Sequence, residues 1–218
     1  MSLSPLAHKA LYAFTFPVFT LAFSLRIAGQ RHMPRSGPVL VLANHTSYLD
    51  PILVGLGVRR PIRYLARKTL FRNPMFASLI TALGAVPLDQ EGMAKEGLQK
   101  SITLLQEGEP LVVFPEGERT ADGQMIPFKP GILLLLKKAR VPVVPVGIAG
   151  AFEAFPLTNR LPRFSPFFLG ATGAGLAVSV GPLIPPAQLE GMEREAALGV
   201  LFDAVKEQVD AARRMARK

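Results

Sequence analysis

The sequence contains no cysteine and few histidines, and both scarcities limit the chemistry of the chain. Without cysteine there are no disulfides, no thiolate metal ligands and no thiol nucleophile. The histidines are His8, His32 and His45, so a metal site built from several imidazoles is not expected. We therefore predict no metal. The lack of cysteine is also compatible with a cytoplasmic protein.

Long uninterrupted apolar runs are also lacking, although the chain as a whole is apolar. Hydrophobic residues make up 49% of the sequence, charged residues 19%, and the mean hydropathy is +0.29. These values argue against extensive disorder and are high for a freely soluble protein. Yet no stretch reaches the roughly 18 to 20 uninterrupted apolar residues of a spanning helix. We expect a protein that lies on a membrane.

The charge balance favours the same surface. Lysine and arginine number 25 against 16 acidic residues, a formal net charge of +9. Such an excess suits nucleic acid or anionic lipid, where each basic side chain near the bilayer contributes about 1 kcal/mol. Clustered basic residues interleaved with aromatics, or a nucleic-acid-binding motif, are not found. We predict membrane lipids as partners, and no nucleic acid.

Residues 1–30 are predicted to form an N-terminal, membrane-associated helical segment, and residues 31–218 an α/β domain. The apolar stretch at 3–27 is basic near both ends and contains Pro17, which predicts a kinked or two-part helix in one leaflet. Gly29 and Gln30 make a poor signal-peptide cleavage site. The alternative is an amphipathic helix packed on its own domain. We expect a peripheral or monotopic protein at the cytoplasmic face of a membrane.

From residue 38 onward, short apolar runs alternate with longer helical patterns. The runs are rich in β-branched residues and bounded by Gly or Pro, which predicts strands at 38–44, 62–66, 84–88, 110–115, 141–148 and 175–181. Helices are predicted at 51–58, 74–83, 93–107 and 132–139, with a charged amphipathic helix within 186–218. The alternation predicts a single α/β domain: a largely parallel or mixed sheet, covered by helices on both faces.

Polar residues that follow the strands are candidates for a site, because ligands bind at the carboxyl ends of strands in open α/β sheets. The first strand is followed by NHTSYLD, with His45 and Asp50 five positions apart. On one helix these side chains would point about 140° apart. If His45 lies in the turn and Asp50 begins the next helix, the carboxylate can hold one imidazole nitrogen while the other accepts a proton from a hydroxyl.

Asp50 also has a purely structural interpretation. Asp followed by Pro51 is a strong helix start, with the Asp as N-cap. Capping and catalysis are compatible, since a carboxylate has two oxygens. Ser47 is not surrounded by the Gly-x-Ser-x-Gly pattern of a serine hydrolase.

Three segments resemble the sequence blocks of the glycerolipid acyltransferases, a family that includes the 1-acylglycerol-3-phosphate acyltransferases. NHTSYLD at 44–50 is similar to block I, Asn-His-x-x-x-x-Asp, and FPEGERT at 114–120 is similar to block III. VPVVPVGI at 141–148 resembles block IV, and the separation of roughly 70 residues between His45 and Glu116 is typical. The resemblance covers about residues 38–151 and implies that His45 and Asp50 are catalytic.

The resemblance also implies an acceptor-binding site after the fourth strand. Glu116, Gly117, Arg119 and Thr120 would bind the glycerophosphate, with Arg119 suited to gripping a phosphate. The alternative is a surface turn with a Glu–Arg ion pair. Lys129, in FKPG at 128–131, resembles a short basic element of the family, and an ordinary helix start is an equal alternative.

The chain departs from the family in block II. The segment GAVPLDQ at 84–90 ends in Gln90, where the family commonly has an Arg that helps bind the acceptor phosphate. A neutral hydrogen bond is about half as strong as a charge-assisted one. Lys68, Arg72 or Lys129 could supply the missing charge, or the acceptor is not a simple phosphomonoester. Gln90 is still expected to lie among the substrate-binding residues.

The resemblance predicts a membrane-associated O-acyltransferase of phospholipid biosynthesis. It would move a fatty acyl chain from acyl-CoA or an acyl carrier protein to the hydroxyl of lysophosphatidic acid, giving phosphatidic acid, and would need no cofactor beyond that co-substrate. The alternatives are acylation of another lyso-lipid or glycolipid, and a non-catalytic lipid-binding protein. Arg163 with Phe164, Phe167 and Phe168 resembles a second interfacial contact.

Overall fold

A seven-stranded β-sheet lies between two layers of helices in the computed structural model, which describes residues 5–88, 93–156, 158–159, 161–170 and 172–217. The strands are β1 (Arg26–Ala28), β2 (Leu40–Ala43), β3 (Arg63–Arg67), β4 (Ala85–Leu88), β5 (Leu111–Val113), β6 (Val143–Ala149) and β7 (Ala177–Val180). The α-helices are α1 (Pro5–Phe23), α2 (Asp50–Val58), α3 (Pro74–Ala82), α4 (Met93–Gln106), α5 (Gly131–Ala139), α6 (Ala151–Ala154) and α7 (Arg194–Met215).

The sheet is mixed, with strand order β1-β7-β6-β2-β5-β3-β4. The five strands from β6 to β4 in that order are parallel to one another. β7 is antiparallel to β6, and β1 is parallel to β7. The predicted α/β class, with helices on both faces of a mixed sheet, is confirmed.

The central strand β2 is buried on both faces, which explains its continuous apolar sequence. Leu40 and Leu42 pack into a core formed with α4, α5 and α7. Val41 and Ala43 pack into the opposite core, formed with α1 and α2. All of these β2 side chains are fully buried.

The N-terminal helix α1 is one continuous helix of 19 residues with Pro17 inside it, so the two-part form of its prediction is not observed. Its segment Leu6–Phe23 is long and apolar enough, by length and composition alone, to cross a membrane, and 11% of that segment is buried in the protein. That α1 lies in one leaflet without spanning the membrane stays a prediction.

The end of the predicted helical segment is an edge strand. α1 stops at Phe23, and Ser24 has a positive φ of 51° that turns the chain. β1 then pairs with β7 over three residues, so the last part of segment 1–30 lies in the sheet. A three-residue strand directly after an apolar helix has too short a pattern to distinguish from the helix that precedes it.

Candidate active site

The candidate site lies where three neighbouring parallel strands end. β2 is flanked by β5 and β6, so the turns that follow these strands meet at one edge of the sheet. The turn after β2 carries His45, and the turn after β5 carries Glu116 to Thr120. The backbone N–H of Thr120 donates to the carbonyl of His45 at 3.1 Å. The two motifs are therefore in direct contact.

Asn44 fixes the start of the turn after β2. Its side-chain Nδ2 donates to the carbonyl of Ile148 at 3.0 Å, and its Oδ1 accepts from the N–H of Ile148 at 2.8 Å. The amide thus continues the pairing of β2 with β6 beyond the last backbone pair. Sequence reasoning did not identify this role; the signal available was the position of Asn44 directly before His45.

The imidazole of His45 contacts the carboxylate of Asp50. Nδ1 lies 2.8 Å from Oδ2; the Asp50 side chain is fully buried, whereas that of His45 is 19% exposed. A neutral ring in this arrangement carries its proton on Nδ1, which leaves Nε2 to accept another. The ring also stacks on Phe114, with centroids 4.0 Å apart and planes 16° apart. Phe114, at the start of block III, is a site residue that sequence reasoning missed.

Asp50 is the first residue of α2, not its N-cap. The N-cap is Leu49, and the Asp50 carboxylate turns back towards the loop. Its Oδ2 accepts from the N–H groups of Thr46 and Ser47, at 2.6 and 2.8 Å, as well as from His45. Oδ1 is buried and has no hydrogen-bond partner among the residues that the structure describes. The predicted cap is wrong because these loop amides, not those of the helix, reach the carboxylate.

Glu116 joins the two motif loops from inside the protein. Its side chain is fully buried; Oε1 accepts from the N–H of His45 at 2.8 Å, and Oε2 from the N–H of Ile126 at 3.1 Å. Burial raises the pKa of Glu116, which the hydrogen bonds from Ile126 and His45 partly offset and the charge of Asp50 reinforces. Direct contact of this carboxylate with a substrate stays a prediction; its observed contacts are those of a brace.

Arg119 lies against an aromatic side chain of the other loop. Its guanidinium carbon is 3.7 Å from the ring centroid of Tyr48, a cation–π contact. Tyr48 is about half exposed and Arg119 is half-buried, so the guanidinium is held at the surface of the site. The Glu–Arg ion pair of the alternative interpretation is not formed, because Glu116 bonds to backbone amides and Glu118 pairs with Lys129.

The other predicted acceptor-binding residues surround the same turn. Gly117 has a φ of 77°, a backbone conformation that favours glycine, whereas the flexible Lys129 side chain beside it could move to make space for a Cβ. Lys129 Nζ is 3.6 Å from a Glu118 carboxylate oxygen, and both side chains are exposed. Thr120 is buried, and its hydroxyl has no partner within the described ranges. Gln90 lies in 89–92, outside the described residues.

An apolar pocket opens beside the helix that begins at Asp50. Pro51 and Ile52 form one wall, Tyr12 of α1 a second, and Tyr64 of β3 a third. Burial raises the pKa of Tyr64 to about 12, so its hydroxyl stays protonated at neutral pH. The cavity volume is about 70 Å³, and its lining is mainly apolar, although the basic residues Arg60 and Arg63 also border it.

The sequence also contains a basic cluster that is predicted to face anionic lipid or an acyl carrier protein, with a solvated charged face as the equal alternative. It consists of Arg59, Arg60, Arg63, Arg67 and Lys68, and part of it holds the fold. Arg60 donates to the carbonyls of Pro34 and Gly37, and Arg63 pairs with Glu109 at 3.1 Å. Arg67, the last residue of β3, is exposed. Contact of this cluster with lipid or an acyl carrier protein stays a prediction.

Together these groups can remove a proton from a hydroxyl and hold an anion beside it. His45 offers Nε2 as base, and Arg119 and Lys129 bring positive charge to the turn after β5. Within the part of the chain that the structure describes, no three His, Asp or Glu side chains gather as a metal site. That no cofactor is needed stays a prediction.

Comparison with known proteins gives consistent matches. The family model described as Acyltransferase matches residues 24–149. The 1-acyl-sn-glycerol-3-phosphate acyltransferase of Bacillus subtilis (strain 168) is 28% identical over 134 residues, which are 61% of this chain and 66% of the relative. The enzyme of the same name from Borreliella burgdorferi is 23% identical over 186 residues, 84% of this chain and 71% of the relative.

A solved structure shares most of the fold. The crystal structure of the 1-acyl-sn-glycerophosphate (LPA) acyltransferase PlsC from Thermotoga maritima has a TM-score of 0.74 and 27% sequence identity, covering 92% of this chain and 78% of that one. In sequence, the matched part of this chain covers less than two thirds of the length of some curated relatives. For the chloroplast enzyme BAT2 of Brassica napus it covers 38%.

Proposed function

The chain belongs to the acyltransferase family, and on that premise we propose that it acylates lysophosphatidic acid to phosphatidic acid, with an acyl thioester as donor. The donor would be acyl-CoA or an acyl carrier protein. The single observation that carries the proposal is the 2.8 Å contact between His45 Nδ1 and Asp50 Oδ2 at the end of β2. It supplies an oriented base but no protein nucleophile, as expected when the substrate brings its own hydroxyl.

The reaction proceeds by direct transfer. His45 Nε2 takes the proton of the acceptor hydroxyl as the oxygen attacks the thioester carbonyl carbon. The tetrahedral intermediate collapses, the carbon–sulfur bond breaks, and the imidazolium returns the proton to the leaving thiolate. Asp50 stabilises the imidazolium between these steps and keeps the ring in one orientation.

The turn after β5 is proposed to bind the acceptor phosphate. The Arg119 guanidinium, held over the ring of Tyr48, offers its N–H groups to phosphate oxygens. Lys129 adds a second positive charge and releases Glu118 when the phosphate arrives, since their 3.6 Å contact is exposed and weak. Gly117 lets the backbone approach the headgroup closely.

The acyl chain is proposed to lie in the apolar pocket between α1, α2 and β3. Pro51 and Ile52 in its wall directly follow Asp50 in the sequence, and the acyl chain is proposed to run from there towards His45. Tyr12 brings α1 into the same wall. Because α1 is largely exposed and apolar, the protein is proposed to sit on the cytoplasmic face of a membrane, where the lysophospholipid acceptor is dissolved.

Acylation of another lyso-lipid is the second candidate, and Gln90 is the observation that favours it. With a neutral side chain in place of the usual arginine, fewer charges face the headgroup. A zwitterionic lysophospholipid or a glycolipid would then compete with lysophosphatidic acid.

The test is to incubate detergent-purified protein with acyl-CoA and a panel of lyso-acceptors, and to identify each product by mass. Phosphatidic acid as the fastest-formed product supports the first candidate. A faster product from a zwitterionic or uncharged acceptor supports the second. No acylated product, with either acyl-CoA or acyl carrier protein as donor, contradicts both and favours lipid binding without catalysis.

A further inference from the structure

Residues 161–170, here named the aromatic loop, expose an apolar surface that the proposed reaction does not use. Its exposed side chains are Leu161 (77%), Phe164 (56%), Phe167 (54%), Phe168 (66%) and Leu169 (57%). Contiguous large apolar side chains on a protein surface mark an interaction site. We infer that the aromatic loop inserts into the membrane interface as a second contact beside α1, an inference that rests on the membrane association in the proposed function.

The loop and the end of α1 form one structural unit. The N–H of Ser165 donates to the carbonyl of Ala22 at 2.9 Å, and the hydroxyl of Ser24 donates to the carbonyl of Ser165 at 2.6 Å. The ring of Phe164 packs on that of Phe23, with centroids 5.2 Å apart. Whether α1 lies in the plane of the bilayer or crosses it, these contacts place the loop at the interface next to the carboxyl end of α1.

Arg217 fixes the backbone of the loop from the carboxyl end of the chain. One guanidinium nitrogen donates to the carbonyls of Pro166 and Phe167, at 3.1 and 2.6 Å, and the other donates to that of Leu169 at 2.6 Å. The exposed rings are thus presented on an ordered loop. An ordered loop loses less conformational entropy on binding than a disordered loop does.

Charge distinguishes a bilayer from a protein as the occupant. The loop contains Arg163 and no acidic residue, and Arg213 and Arg214 are exposed on the last turn of α7, the element that leads to Arg217. Aromatic rings beside arginines suit the boundary between acyl chains and anionic headgroups. The neighbouring α1 has an apolar segment, Leu6–Phe23, whose length matches the hydrocarbon thickness of a bilayer, and 11% of this segment is buried in the protein.

The absence of tryptophan from the sequence allows a direct test. Phe168→Trp gives the full-length protein a single indole in the loop, which is read on vesicles of phosphatidylcholine and phosphatidylglycerol with brominated acyl chains. We expect a blue-shifted emission that the bromolipids quench. Leu134→Trp, on α5 at the opposite face of the sheet and 45% exposed, is the matched control and should stay unquenched.

A third variant, Phe14→Trp, distinguishes a failure of the loop inference from a failure of the proposed membrane association. Phe14 lies on α1 and is 71% exposed. If Phe14→Trp is quenched and Phe168→Trp is not, the loop inference is wrong and the membrane association stands. If neither is quenched, the membrane association itself is wrong. If the emission of Phe168→Trp shifts with protein concentration and not with lipid, the loop binds a second copy of the chain. This result would also overturn the inference.

Two further variants test the contribution of the loop and its fixing residue. The double variant Phe167→Ser/Phe168→Ser should weaken vesicle partitioning by about tenfold or more. The reason is that it lacks two aromatic rings whose transfer from water to the bilayer favours binding. Leu134→Ser should leave partitioning unchanged. Arg217→Gln, added to Phe168→Trp, should reduce bromolipid quenching while circular dichroism stays that of the folded protein. Unchanged partitioning of the double Ser variant would overturn the inference.

Discussion

The carboxylate of Glu116 accepts a hydrogen bond from the backbone N–H of His45 at 2.8 Å, across 71 positions of sequence. Its other oxygen accepts from Ile126 at 3.1 Å. One buried side chain therefore sets the position of the turn that carries His45 relative to the turn that carries Arg119. This brace holds the two motif turns together.

Glu116→Ala should lower kcat and stability together. It leaves the N–H groups of His45 and Ile126 without acceptors, at a cost of about 1–3 kcal/mol each if both stay buried. Chemical unfolding and steady-state kinetics measure the two effects. Glu118→Ala, on the exposed neighbour, is the control and should leave stability within about 0.5 kcal/mol of wild type. A higher acceptor KM with unchanged kcat and stability would instead indicate direct substrate contact by Glu116.

The raised pKa of Glu116 gives stability a defined pH dependence. Burial is its largest cause, so the folded protein holds this proton to a higher pH than the unfolded chain does. Between the unfolded pKa, about 4.3, and the folded pKa, the folded state binds more protons, and stability falls as pH rises. Glu116→Gln removes this titration. The stability of wild type minus that of Glu116→Gln should therefore decrease with rising pH through this window; an increase would contradict the assignment.

Asp50→Asn should separate charge from geometry. All three hydrogen bonds to Asp50 use Oδ2, so an Asn carbonyl in that position can accept the same bonds. Its NH2 group would occupy the place of Oδ1, which has no partner in the described part of the protein. We expect a folded variant whose turnover falls about 10²- to 10⁴-fold, because the imidazolium loses its counter-charge. Wild-type turnover would show that Asp50 only shapes the turn.

Arg119→Ala should harm phosphate-bearing acceptors selectively. The loss of a hydrogen bond to a charged group costs about 1.5–3 kcal/mol. The KM for lysophosphatidic acid should therefore increase far more than the KM for the thioester. Tyr48→Phe keeps the ring under the guanidinium and should change little, whereas Tyr48→Leu removes the cation–π contact of about 0.5–1 kcal/mol. Equal harm to a phosphate-free acceptor would indicate that Arg119 holds the loop and does not bind the headgroup.

Much of the sheet and both motif turns could be predicted because their signals are local. Buried parallel strands such as β2 have continuous apolar sequences, and the polar residues that interrupt the pattern follow the strand ends. The contact of His45 with Asp50 needed only a turn between a strand and a helix. β1 could not be predicted, since its three residues are too few to distinguish a strand from the end of the apolar stretch at 3–27.

Contacts between distant parts of the chain account for what the sequence did not reveal. From the sequence alone, Glu116 in the turn after a strand could be an exposed or a buried carboxylate. Its burial depends on where the segment at Ile126 folds back onto this turn. Arg217 looks like a solvated terminal residue until the aromatic loop brings three carbonyls to it. Pairings of this kind follow from the packed fold and have no periodic or motif signal.

The most direct measurement is the rate of phosphatidic acid formation by His45→Ala, from acyl-CoA and lysophosphatidic acid at saturating concentrations, with the product identified by mass. His45 is the proposed general base, and its Nδ1 contact with Asp50 at 2.8 Å leaves Nε2 for the acceptor hydroxyl. The mechanism predicts a loss of about 10²- to 10⁴-fold in kcat with the fold intact. A His45→Ala variant that forms phosphatidic acid at a rate near that of wild type would contradict it.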